Sequence, residues 1–445
     1  MMSSDLSSSH DAWASTPPKA TRPNSCCESP NLLGECMFLG FVAILGITCV
    51  LLCKLILWLF HIEIDFGQPA WLQWLQRPEK QDVNTWLNGQ KSIINFSFAG
   101  VSKPQDTLRL RAAANENIAL AFNITNSLTT ASTSTHKNFL KMASGIINRP
   151  GRDWIKLFEK ATSTLTAELL RDTSQPLHLA EATRITCLKV VLIDNFQISS
   201  GSLPRDSLVI ITDEINNQWL KAKSSSEKPV ISSLLIHHLT ALQRRDPRCL
   251  CWPFDQLKPE EILGMIMPQY ETLWRVVMVT YILAFHLYPS PTLPSRISSV
   301  PECLGTSSLK EREALKLAKE GLRLTPSNKR IYRHTPSSSF KIKADLELMH
   351  RHPSIWGPTA LEFSPSRFDN LSPLQTEAYL PYSLRPHRCP AFGGFGDRMV
   401  TCLVVAMGRV LDTKAGKVFN TEPTKRAGVV DTGRDGLEGW RYQRG

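Results

Sequence analysis

The chain lacks the commonest signatures of soluble catalysis. It has no Gly-x-Ser-x-Gly elbow, no phosphate loop and no dinucleotide fingerprint, so serine-hydrolase and nucleotide-binding readings find no footing. It lacks a zinc site as well, because Cys249-Leu-Cys251 has the wrong spacing and no second ligand pair nearby. Eleven cysteines, an odd number, form no disulfide framework, and five of them (Cys26, Cys27, Cys36, Cys49 and Cys53) fall in or before an N-terminal apolar segment. Reduced thiols in a cytosol-facing body fit this usage. Although 51 Lys and Arg oppose 40 Asp and Glu, for a formal charge of +11, the bases are scattered and form no long tract interleaved with aromatics. That argues against a nucleic-acid partner and for an anionic membrane surface or an acidic protein. No internal repeat is visible, and strand-like signals are confined to Ile331–Arg333 and Phe340–Lys343.

What is present is ample material for a core. Of the 445 residues 42% are hydrophobic, which excludes disorder throughout. Residues 1–35 are rich in Ser and Pro without apolar periodicity and read as a disordered tail. Residues 36–60 are apolar and uncharged up to Lys54, and 25 residues of helix reach roughly 37 Å, enough to cross a hydrocarbon core of about 30 Å. An uncleaved anchor helix is the expectation, since a signal peptide would be shorter and begin nearer Met1. The flanking charges Lys19, Arg22, Glu63 and Asp65 leave its orientation open, and Asn95, Asn123 and Asn370 lie in sequons usable only if the body faces the lumen. Residues 61–115, with Trp71, Trp74 and Trp86 among polar neighbours, read as a membrane-proximal segment. From 116 to 445 helical periodicity dominates, over 116–128, 136–147, Asp153–Leu170 and Leu177–Phe196.

Three stretches carry chemistry. Cys389 lies in Pro381-Tyr-Ser-Leu-Arg-Pro-His-Arg-Cys-Pro-Ala-Phe-Gly-Gly-Phe-Gly-Asp397, ahead of an apolar helix from Met399 to Val410. Arg385, His387, Arg388 and the following helix N-terminus would favour a thiolate, and the Pro and Gly residues a tight path close to a metal. Lys258-Pro-Glu-Glu261 opens a long helix running to about Tyr288, in which Pro268 interrupts the hydrogen-bond ladder beside Glu271 and Thr272, an acid and an alcohol placed for proton delivery. A second membrane span is disfavoured there by Gln269, Glu271, Arg275 and His286. Leu309 to Leu324 is an amphipathic helix containing Glu320-Gly-Leu-Arg323, whose charges share a face, and the aromatic loop Trp356 to Phe368 carries Arg367. Two arginines on one buried glutamate would pin that loop.

In this order and spacing the segments resemble a cytochrome P-450, the haem-thiolate monooxygenase family, over roughly Glu116 to Trp440. The resemblance implies a mainly α fold with small β-sheets (α+β) behind one transmembrane helix. It implies haem b with Cys389 as axial ligand to the iron, His387, Arg333 and Arg330 as haem-contacting bases, and Glu320, Arg323 and Arg367 as a structural triad. His136 with Lys141 falls where a further propionate-binding base is usual, although as residues they read as surface. Thr272 and Glu271 match the family's catalytic alcohol and acid. A small apolar substrate, dioxygen, NADPH electrons through a separate cytochrome P-450 reductase, and an endoplasmic-reticulum membrane with the catalytic domain in the cytosol come with it. The Pro-His-Arg-Cys-Pro and Tyr-Glu-Thr-Leu-Trp-Arg variants are most similar to filamentous-fungal members of secondary metabolism. Tyr382, Arg385, His387 and Ala391 stand where the family's cysteine loop has Phe, Gly, Arg and Gly, and Pro268-Gln269 replaces the Ala/Gly pair beside the oxygen pocket. That replacement leaves three alternatives: an isomerase or dehydratase, a peroxide-driven enzyme, and a haem-free anchored scaffold.

Overall fold

A computed structural model describes residues 82–101, 103–224, 230–245, 257–290, 297–335, 338–411, 416–421 and 433–444. The tail and the expected span at 36–60 lie outside the described residues, and among the described residues no helix is long and apolar enough to cross a membrane. The described residues all fall within one compact unit, Pro78–Gly445.

Its main helices are α1 (Val83–Asn95), α2 (Pro104–Ala114), α3 (Glu116–Phe122), α4 (Thr133–Ile147), α5 (Trp154–Arg171), α6 (Leu179–Phe196), α7 (Arg205–Ser224), α8 (Ser233–Arg245), α9 (Pro259–Ile282), α10 (Leu309–Leu324), α11 (Leu346–Arg351) and α12 (Phe395–Leu411). Short polar side chains start several of them. Asp82, Ser132, Asp153 and Ser308 each accept an early backbone amide, relieving one of the donors a helix start leaves unpaired. The centre is a bundle in which α9 packs on α6 and α12, α5 packs on α6 and α12, and α10 lies against α9 and α12. On α9, Ile262, Leu263, Met278 and Ile282 are fully buried, and such side chains each contribute about 1.5–3 kcal/mol relative to exposure. The approach of α10 to α9 is close enough to require glycine, since a Cβ on Gly321 would stand 2.0 Å from Thr280 Oγ1.

Pro268 does not break α9. The helix runs unbroken from Pro259 to Ile282 and ends in a wide turn at Leu283–Leu287. Proline has no amide proton for the carbonyl four residues back, that of Gly264, and Asn126 supplies the donor, with Nδ2 2.9 Å from Gly264 O. This amide plugs the gap that Pro268 leaves in the hydrogen-bond ladder.

Strands are few, as expected. β1 (Leu177–His178), β4 (Lys417–Asn420) and β5 (Trp440–Gln443) form an antiparallel sheet in the order β1-β5-β4. β2 (Arg330–Thr335) and β3 (Ser338–Asp345) form a hairpin with Arg330 opposite Asp345. The α1 helix packs on β3 and α2 on β2, and Trp86, Leu87 and Ile94 are buried there. Residues 82–115 thus belong to the same compact unit, with the apolar face of α1 packed on this hairpin and on the His352 ring.

Candidate functional site

Glu320 and Arg323 face one another one turn apart on α10, both with no exposed surface. Arg323 donates from Nε to Glu320 Oε2 at 2.7 Å and from Nη2 to Oε1 at 2.8 Å. Its remaining protons go to carbonyls of three other segments: His350 and Ala360, each at 2.7 Å, and Glu362 at 3.1 Å. Arg367 approaches Glu320 Oε1 at 3.5 Å and donates to the carbonyls of Trp356 and Thr359 at 3.1 and 2.8 Å, while the Ser364 amide reaches Oε1 at 2.9 Å. The structure thus joins the three triad residues, and a buried carboxylate pins the aromatic loop to α10. The ring of His350, whose carbonyl Arg323 also holds, accepts the Leu380 amide at 2.9 Å, and burial, then Arg323, lowers its pKa to about 3.

That frame delivers the cysteine loop. Tyr382 closes its base, accepting the Cys389 amide at 2.9 Å on its carbonyl and donating its hydroxyl to Asp397 at 2.6 Å. The Arg385-Pro386 bond is cis, and Gly393 and Gly394 have φ of 98° and 110°, conformations that side chains disfavour. Beyond them, a Cβ on Gly396 would meet the Tyr382 hydroxyl at 2.4 Å. Cys389 itself combines two properties that seem opposed: its surface is exposed, yet burial pushes its thiol pKa up. The Ala391 amide and Arg111 pull the other way without prevailing. The expected ionisation by Arg385 and Arg388 is not what the structure shows, because Arg385 points to solvent and Arg388 lies 4.3 Å over the Phe392 ring.

Arg111, the base that acts on the thiol, belongs to a knot of bases drawn from distant segments. His387, two residues before the loop's cysteine, puts Nε2 3.1 Å from Thr107 Oγ1 on α2 and its ring 5.4 Å from those of Phe96 and His136. Ser127 contacts His136 Nδ1 at 2.8 Å and accepts Arg111 at 3.2 Å on its carbonyl. Arg333 lies over Phe96 at 4.4 Å and donates to the Ile94 carbonyl at 3.3 Å. Burial lowers all four: Arg111 to about 10, Arg333 to about 9, with Arg111 adding to the effect, and His136 by burial and then Arg111. For His387 burial comes first, followed by Arg111, His136 and Arg333, and its pKa falls to about 3. No carboxylate stands among the groups that shift these four, and His387 Nδ1 and Arg333 Nε are buried without a hydrogen-bond partner. Since Thr107 gives its own proton to Pro104 O at 2.9 Å, the shared hydrogen bond assigns the His387 proton to Nε2 and leaves Nδ1 an open acceptor. The two buried guanidiniums, Arg111 and Arg333, are costly without a carboxylate and are relieved by an anion. A flat cofactor with two carboxylates and a metal that takes a thiolate fits the chemistry of the thiol and of these bases.

Not every expected residue joins it. Arg330 lies on the opposite face of β2 from Arg333 and pairs with Asp345 at 3.1 Å, drawn there by the hairpin register. Lys141 is an exposed residue of α4, whereas His136, read in isolation as surface, belongs to the cluster. Glu271 and Thr272 diverge on α9: Glu271 is held by Arg434 and by Arg275 at 3.5 Å, and Thr272 donates its hydroxyl back to Pro268 O at 3.2 Å. Arg111, Ser127, Asn126 and Arg434 escaped sequence reasoning, since none sits in a local pattern that marks it.

No protein-family model matches the chain. Over 130 residues it is 30% identical to "Putative cytochrome P450 CYP13A2" of Caenorhabditis elegans, covering 25% of this chain and 24% of that protein. Over 160 residues it is 29% identical to "Putative cytochrome P450 CYP13A1" of the same organism, covering 30% of each. The chain therefore matches less than a third of the length of these curated relatives. Both support the cytochrome P-450 family in general and give no support to a fungal secondary-metabolism type.

Proposed function

We propose that the protein is a haem-thiolate monooxygenase acting on an apolar small molecule. The observation that carries this reading is the association of Cys389 with Arg111 and, through Arg111, with His136, Arg333 and His387, a set of bases without a carboxylate among the groups that shift them. Cys389 would ligate the iron of haem b, and the four bases would take its propionates. A propionate beside His387 Nδ1 would restore the second proton that burial and neighbouring cations withhold. Bound there, haem would supply reductive activation of dioxygen, one oxygen atom going to substrate and the other to water with two protons and two electrons from a donor.

The chain's own contributions are then separable. The triad fixes the loop, and Tyr382 with the glycines sets the cysteine's approach. Thr272 is the hydroxyl nearest to a proton-carrying role, which requires it to leave Pro268 O. Electrons would come from NADPH through a reductase. The cleft of about 420 Å³ beside Phe392 and Phe395 carries Arg149, Arg152 and Arg398, against the carboxylates of Asp194 and Glu311, and suits an acidic donor. The helix expected at 36–60 would hold the body on the endoplasmic-reticulum membrane, and assignment to fungal secondary metabolism rests on motif variants alone.

A second reading, an isomerase, dehydratase or peroxide-driven reaction on the same haem, is favoured by the Asn126 plug at Gly264 and by the engagement of Glu271 with arginines. The test is purification of the full chain with its bound pigment, followed by turnover assays. Stoichiometric haem and turnover that needs reduced nicotinamide and a reductase support the monooxygenase. Turnover with neither supports the second reading, and a haem-free protein refutes both.

A further inference from the structure

The C-terminal segment 433–444 is tied to the helical core by charge at two places. Arg434 opens a short helix, Arg434–Glu438, and its Nη2 pairs with the Glu271 carboxylate of α9. From the same guanidinium Nη1 donates to Asn216 Oδ1 of α7 at 3.0 Å, and its carbon stands 4.7 Å from the centre of the Trp219 ring. Arg275 brings a second cation, with Nε 3.5 Å from Glu271 Oε1, and is itself fixed to Ser327 O at 3.0 Å. Further along the segment, Glu438 pairs with Arg184 of α6, which also holds Asp213 of α7 at 3.0 Å. Three carboxylates balance three guanidiniums. The Arg434 and Glu271 side chains are 4% and 3% exposed, so water does little to replace either partner.

We infer that Glu271 is the internal anchor of the C-terminal segment, and that Arg434 is a positioning residue that turns this carboxylate away from Thr272. Successive residues on a helix point about 100° apart, so an acid committed to Arg275 and to Arg434 of the C-terminal segment cannot also serve the neighbouring hydroxyl. Glu271 therefore docks a segment and does not deliver protons. The docking stands on these contacts alone, whereas the statement about proton delivery rests on the monooxygenase reading.

Hydrogen exchange on the full chain tests it. Glu271→Gln and Arg434→Met should each speed amide exchange in 433–444 by about tenfold or more, and the double variant should be no faster than the faster single. Arg434→Lys and Thr272→Val should leave the segment as protected as in the wild type. Wild-type protection in Glu271→Gln overturns the inference. Should that variant fail to fold, equal exchange in Arg434→Met and Arg434→Lys overturns it instead. Exchange needs no haem, so a chain that fails to bind haem refutes the monooxygenase reading and leaves this result intact. In the haem-loaded protein, Thr272→Val should divert reducing equivalents to hydrogen peroxide and Arg434→Lys should not. A Glu271→Gln protein that leaks peroxide while keeping 433–444 protected would make Glu271 a relay and overturn the second half of the inference.

Discussion

Replacing Glu320 by Gln changes one oxygen to an amide nitrogen in a site with no exposed surface and creates no cavity. What it removes is the charge that balances Arg323 and half of a two-pronged hydrogen bond, at 2.7 and 2.8 Å. The amide oxygen can keep one arginine proton and the Ser364 amide, but the new NH₂ group faces a guanidinium N–H. An uncompensated buried charge of this kind costs about 3–5 kcal/mol. Arg367→Met should cost less, about 1–2 kcal/mol, because its tie to Glu320 is long and its other partners are two carbonyls. Urea unfolding of the full chain, followed by tryptophan fluorescence under one buffer condition, gives the two midpoints and slopes. If Glu320→Gln shifts stability by under about 1 kcal/mol, the value of a solvated bridge, then the triad is not the buried clamp described here.

Three further outcomes follow from other parts of the molecule. His350, with its pKa lowered to about 3, binds a proton more readily unfolded than folded, so its contribution is present above the unfolded value near 6.5 and is lost as pH falls toward 3. His350→Gln should flatten the stability profile across that window, and an unchanged acid slope would contradict this. Asn126→Ala should cost about 1–3 kcal/mol by orphaning the Gly264 carbonyl, and most of that cost should vanish in a Pro268→Ala background where the helix supplies its own amide; additive losses would refute the plug. Arg111→Met should weaken binding of haem by about tenfold or more while leaving binding of haem dimethyl ester unchanged, since only the former offers carboxylates to an unpaired cation; equal losses for both would remove Arg111 from the site.

The parts legible in the sequence were those whose physics is local. Glu320 and Arg323 share a helix face by spacing alone, the loop Pro381–Asp397 around Cys389 carries its own turn residues, and helical periodicity located α5, α6, α9, α10 and α12 to within a few residues. What escaped is set by contacts that cross the chain. Thr107 and His387 meet from 280 positions apart, and Asn126 reaches Gly264 from 138. Arg111 looks like any arginine on a polar helix until α2 is laid against β2. Position within a strand decided Arg330 against Arg333, because a separation of three puts them on opposite faces. Charge near Cys389 was misread for a related reason: Arg385 and Arg388 are neighbours in sequence but not of the sulfur, and burial outweighs the one base, Arg111, that is.

The central claim is that Cys389 is the thiolate ligand of a bound haem. The direct measurement is the carbon monoxide difference spectrum of the reduced, full-length protein beside its Cys389→Ala variant. The account predicts the red-shifted absorption characteristic of a thiolate-ligated haem in the wild type and its loss in the variant. A wild-type spectrum without that band, or a band that survives the substitution, would contradict it.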